Sequence, residues 1–209
     1  MGLFLNSVLK LSGAMATASF EEKSKRTRDF LELDRKFTHR ATIEQFTSGR
    51  YKQKYRYECF AENGCLLFLL RGGESLARET VFLEDPQGKY MGSISYNRKT
   101  KWHSEYYSMN LPDGRSFKME QEVSLRDIAT LRHKIEGLDW LVEHDMSAFL
   151  GTVNITSKEG PIAVVRKAGA ETKSNASTVH YVDYIDESVL PAVALIIAGM
   201  SGVFMPLRK

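Results

Sequence analysis

The 209 residues include only two cysteines, Cys59 and Cys65, too few for a secreted-type disulfide framework. They flank Asn63-Gly64, a hairpin turn signal. The thiols could face each other across that hairpin; the plainer expectation is two reduced, buried thiols in a cytoplasmic protein. No CxxC, HExxH or Cys/His cluster is present, which argues against a structural zinc site. Neither sign of charge dominates: 29 Lys and Arg against 26 Asp and Glu leave +3, too little for a dedicated nucleic-acid binder. A hydrophobic fraction of 43% with 26% charged residues excludes wholesale disorder and a many-span membrane protein. The first eighteen residues have no basic n-region and carry Lys10 inside their apolar stretch, so they make a poor secretory signal. Asn6 spoils a myristoylation pattern, and the sequons at Asn154 and Asn175 then read as incidental.

Catalytic signatures are missing too. His39, His103, His133, His144 and His180 are scattered, no GxSxG motif occurs, and no Gly-rich phosphate cradle links a strand to a helix. The expectation is a non-enzymatic protein without a cofactor.

Turn chemistry dominates what is present. From residue 55 onward, β-like runs at 55–60, 66–71, 80–84, 90–96, 105–109, 116–122, 140–143, 148–156, 162–167 and 181–185 are separated by turn signals. Among these are Asn63-Gly64, Asp85-Pro86-Gln87-Gly88, Pro112-Asp113-Gly114 and Lys158-Glu159-Gly160. Roughly ten strands joined by hairpins predict an antiparallel meander. Gly64, Gly88 and Gly114 fall 24 and 26 residues apart, which suits a closed barrel without free sheet edges. Ser124 as a cap, Asp127 near the start, and Leu125, Ile128, Leu131 and Ile135 at helical spacing predict one short helix over 125–136.

Residues 21–56 hold eleven Lys/Arg against six Asp/Glu, a local +5. Phe30, Leu33 and Phe37 recur there at helical spacing. The domain plan is therefore a charged, partly disordered arm over 1–54 and a barrel over 55–209. The arm is either a solvated surface or a basic segment that meets an acidic lipid or a protein partner. An internal echo lies farther along. Gly92, Ile94 and Arg98-Lys99 share one frame with Gly160, Ile162 and Arg166-Lys167, and Gly64 to Arg71 repeats it loosely.

Ser188 to Leu207 contains no charge. By length and hydropathy it is a tail-anchor candidate. By its lack of a polar face it equally fits a helix surrounded by protein. Its best helical stretch, 189–200, is about 18 Å long, against about 30 Å for a bilayer core.

The hairpin meander, the basic strand ends and the apolar C-terminal run together resemble the tubby C-terminal-like superfamily. The likeness is nearest to the LURP-one-related proteins, with phospholipid scramblases as cousins. It rests on 92–101, Gly137-Leu-Asp-Trp140-Leu-Val142, Phe149-Leu-Gly151, 156–167 and 181–200, and covers roughly 55–205. Glu143-His144-Asp145 departs from it, standing where a Gly-containing turn is usual. The resemblance implies a mainly β fold, a closed antiparallel barrel of about twelve strands around a hydrophobic C-terminal helix. It also implies binding of phosphoinositide head groups through clustered Lys and Arg. The candidates for lipid phosphate are Arg98, Lys99, Lys101, Arg166 and Lys167, with Arg71 a weaker third position. Since neighbouring strand residues point to opposite faces, one member of each pair at most joins a given site. The expected location is cytoplasmic or peripheral at the plasma membrane. A protein-interaction scaffold and a scramblase-like protein with 188–207 in the bilayer are the alternatives.

Overall fold

The computed structural model describes residues 37–48, 54–75, 78–97, 106–122, 130–145, 152–167, 176 and 178–203. The chain divides into two compact units, Met1–Phe37 and Thr38–Lys209, and every element below belongs to the second. Twelve strands run in chain order: β1 (His39–Ser48), β2 (Lys54–Ala61), β3 (Leu66–Ser75), β4 (Arg78–Glu84), β5 (Tyr90–Asn97) and β6 (Tyr106–Asn110), then β7 (Ser116–Glu122), β8 (Thr130–Glu136), β9 (Trp140–Asp145), β10 (Val153–Ser157), β11 (Gly160–Lys167) and β12 (Thr178–Tyr184). A 3-10 turn, Glu187–Val189, leads into the helix α1, Leu190–Val203. Each strand pairs antiparallel with its chain neighbours, and β12 pairs with β1 to close the barrel.

Three hairpins share one turn design. Gly64, Gly88 and Gly114 sit at φ 80°, 82° and 83°, where a Cβ would be strained. Each donates its N–H to the carbonyl three residues back: Ala61, Asp85 and Leu111. Asn63, Asp85 and Asp113 close the same turns through side-chain oxygens that accept backbone N–H groups, such as that of Cys65 at 3.0 Å. These turns, together with those joining β8 to β9 and β10 to β11, lie at the end of the barrel where β1 begins and β12 finishes. We call that end the helix rim. The opposite, far rim carries the longer connections, including 98–105, 123–129, 146–152 and 168–177.

The helix α1 starts from the helix rim. Asp186 accepts the Ser188 N–H at 2.8 Å, and the Ser188 hydrogen bonds hold its carboxyl below the ordinary value. Leu190, every residue from Ala192 to Ala198, and Met200 are at most 3% exposed. Such burial on all sides requires a surround, and the barrel supplies it: the helix packs mainly on β2, β3, β4 and β5. The Tyr57 hydroxyl donates to the Ala198 carbonyl at 3.4 Å. No helix among the described residues is long and apolar enough to cross a membrane.

Four expectations change. The barrel begins upstream of residue 55, because β1, inside the supposed arm, supplies the closing strand; Ala41, Ile43 and Gln45 alternate inward. The helix expected over 125–136 is instead β8 from Thr130 onward, with His133 and Ile135 buried in alternation; residues 123–129 lie outside the described residues. Glu143-His144-Asp145 continues β9 and forms no turn. The echo does not superpose: the unpaired bulge residue is Met91, just before Gly92, in β5, but Ile162, two after Gly160, in β11. The helix expected around Phe30 and Leu33 falls outside the described residues.

Of the thiols, Cys59 is buried and Cys65 exposed, because the first faces inward on β2 while the second ends a solvent-facing turn. Burial pushes the Cys59 thiol up to about 12. A disulfide-exchange reagent at pH 8 is expected to titrate one thiol quickly and the other only after denaturation; two fast thiols would contradict this placement.

Candidate functional site

The wall formed by β11, β12 and β1 gathers two arginines on one carboxylate around the sequence-predicted Arg166. Val182 faces inward, so Asp183 faces outward, and its register partner across the barrel closure is Arg40. Asp183 is 6% exposed. Arg40 Nε lies 3.2 Å from its Oδ1, and Arg166 on β11 pairs with Oδ2. One sheltered carboxylate thus holds two guanidiniums, of which Arg40 is 71% exposed. Tyr181, half exposed, stands opposite Arg166 in the same wall.

Lys167 goes the other way. It pairs with His180 on the interior face at the far rim and is itself exposed. Arg166 and Lys167 therefore serve opposite faces of one strand. Arg71 faces outward from β3, far from this wall, with Nε 3.3 Å from Glu84. Directly across from it is Arg56, paired with Glu58 at 2.9 Å and lying over the Phe46 ring. Arg98, Lys99 and Lys101 lie outside the described residues; the strand before them, β5, ends at the far rim, as does β11. In the ring of twelve, β5 and β11 stand six places apart. At about 4.8 Å per strand the barrel is at least about 18 Å across, so the strand ends preceding the two basic pairs are not neighbours on one small ligand.

The interior near the far rim holds three histidines. His133 on β8, His144 on β9 and His180 on β12 all share a face with core residues. His133 is 4% exposed, and its Nδ1 has no hydrogen-bond partner; nor has Nε2 of His180. Burial, with His144 nearby, lowers His133 to about 4. Burial, then the charge of Lys167, then His144 lowers His180 to about 4. Both rings are neutral at pH 7. No group of three His, Cys, Asp or Glu among the described residues is placed to hold a metal ion.

At the helix rim a shallow depression of about 390 Å³ is lined by residues that include Arg40, Glu62, Tyr184 and Glu187. His39 stacks on Tyr184 there, ring centroids 5.4 Å apart.

Arg40 and Asp183 were not legible as site residues, since 183 − 40 = 143 positions separate them and only barrel closure joins them. His133 carried a usable signal, the alternation Leu131, His133, Ile135, which the helical spacing obscured. Comparison with known protein families, curated proteins and solved structures finds no match to this chain.

Proposed function

We propose that this barrel is a non-enzymatic module that docks on anionic phospholipid head groups, phosphoinositides foremost, as a peripheral regulator at a membrane surface. The observation that carries the reading is the Arg40–Asp183–Arg166 cluster on the outer wall. Arg40 is the more exposed of the two, and a guanidinium has five N–H donors, so its contact to one carboxylate does not exhaust it. Asp183 holds the two groups side by side, in the arrangement that bidentate recognition of phosphate oxygens uses. The twelve-strand barrel around a helix also supports the resemblance to tubby C-terminal-like proteins. The histidines best placed to act as bases are buried in the wall, which favours binding over catalysis.

Cosedimentation with vesicles of phosphatidylcholine containing roughly 5% phosphatidylinositol bisphosphate, an anionic surface of the kind that attracts basic residues, tests the reading. Each basic residue near an anionic surface contributes about 1 kcal/mol. The Arg40→Ala/Arg166→Ala double variant is therefore expected to bind roughly thirtyfold more weakly. Because it leaves the sheltered Asp183 carboxylate unpaired, it also melts at a lower temperature, and binding is compared below both transitions. Equal binding by parent and variant, or no binding by the parent, would overturn the proposal. A protein-docking reading has one observation of its own: Phe82 and Tyr90, 43% and 56% exposed, pack edge to face on the outside of β4 and β5. Phe82→Ser would impair that function while leaving vesicle binding intact.

A further inference from the structure

We propose that the interior histidines at the far rim form a proton-operated latch: taking up protons at His133 and His180 in mildly acidic solution loosens the β8–β9 and β11–β12 end of the barrel. The inference is independent of any lipid role. It begins with placement. β8 and β12, four places apart in the ring of twelve, each turn an imidazole inward at the same end of the barrel, and His133 Nδ1 and His180 Nε2 find no partner there. A proton added to either ring puts a charge where no carboxylate faces it among the described side chains. From β7 the interior neighbours are Met119 and Gln121, and from β9 Val142 and His144. From β1 they are Ile43 and Gln45, and from β11 Val165 and Lys167. From β6, Tyr107 meets His133 edge to face with ring centroids 5.8 Å apart. The titratable members of this set are His144, Lys167 and Tyr107. None is an anion near neutral pH, and two of them are or become cations.

The sign follows from linkage. Both rings are held near 4 in the closed barrel, against an ordinary 6.5, so the opened state binds more protons between those values. Stability conferred by the closed interior is complete above pH 6.5 and is lost as pH falls through 4. Connections at this end run to 7–10 residues at 123–129, 146–152 and 168–177.

Native-state hydrogen exchange of the full chain, corrected for the intrinsic pH dependence of exchange, tests the latch. Between pH 7.5 and 4.5 the opening equilibrium of β8 and β12 is expected to rise roughly 70-fold per histidine, with a smaller rise in β3 to β5. The His133→Leu/His180→Leu variant is expected to lose this response while retaining protection at pH 7.5. An undiminished acid response in that variant would overturn the proposal. Should the variant not fold, NMR titration of the imidazoles in the parent chain decides. Rings that stay neutral down to about pH 5 support the latch, and rings that titrate at 6.5 or above refute it.

Discussion

Leu195→Asp is expected to abolish the folded barrel at pH 7, leaving a chain without a cooperative thermal transition or near-ultraviolet dichroism. Leu195 is fully buried in the middle of α1, and its Cδ1 lies 3.6 Å from the point where a side chain on Gly92 would begin. Removing the leucine contacts costs about 3–5 kcal/mol. Holding the new carboxyl protonated at pH 7, against an ordinary value near 3.9, costs about 4 kcal/mol more. The sum is comparable to the whole stability of a typical domain, about 5–15 kcal/mol. Leu195→Met, which nearly conserves volume, is expected to cost under about 1.5 kcal/mol, so the pair separates charge from mere change. A Leu195→Asp protein melting within a few degrees of the parent would mean that α1 does not occupy the barrel. The experiment bears directly on the charge-free C-terminal run, whose hydropathy fits a membrane anchor and a barrel core equally well.

Most of the barrel was legible because its hairpins announce themselves. Asn63-Gly64 and Asp113-Gly114 fix where the chain reverses, and alternation between reversals fixes which residues face inward. β1 and β8 escaped for different reasons. β1 lies in a charge-dense stretch with no turn signal ahead of it, and one of its three buried positions is the polar Gln45. β8 was misread because Leu131 and Ile135 are four residues apart. Four is one helical turn and also two strand repeats, so the spacing satisfies both periods. Pairing with β7 and β9 settled it, and that information is not local. Barrel closure is likewise a tertiary event: a strand with β12 on one side and β2 on the other is needed to leave no edge, and nothing within 39–48 records that requirement.

The candidate site was less legible for a related reason. A strand-end Arg-Lys pair can be read in sequence, but its partners cannot. Arg166 gained Arg40 and Asp183 only when β12 met both β1 and β11, whereas Lys167 turned inward to His180. Arg71 acquired Glu84 from the next strand and lost any link to the others. The sequence pattern therefore located cations without distinguishing a shared carboxylate from an isolated surface pair. Such clusters are defined by register: shifting β12 by one residue against β1 would place Val182 beside Arg40 and turn Asp183 into the core.

Gly92→Ala is expected to be the most damaging single-methyl change in the barrel. Gly92 faces the interior on β5, and a Cβ there would stand 2.5 Å from the backbone carbonyl oxygen of Asn110. That oxygen cannot rotate away, because Asn110 is held in the ladder opposite Ser93 and its side chain donates to Ser93 at 3.1 Å. Relief requires β5 and β6 to separate, so a cost of about 3 kcal/mol or more is expected, at the upper end for overpacking. Gly199 provides the contrast. A Cβ on this helical glycine would lie 2.8 Å from Cδ1 of Ile94, the end of a side chain that can move, and alanine also gains up to about 1 kcal/mol of helix propensity over glycine. Gly199→Ala should therefore cost far less, and Ile94→Val, which deletes the offending methyl, should rescue it in part. The same Ile94→Val change should leave Gly92→Ala unrescued. Urea unfolding of the three single and two double variants measures the coupling. Rescue of Gly92→Ala by Ile94→Val would place the steric conflict in the core side chains and not between the two strands, contrary to the fold described.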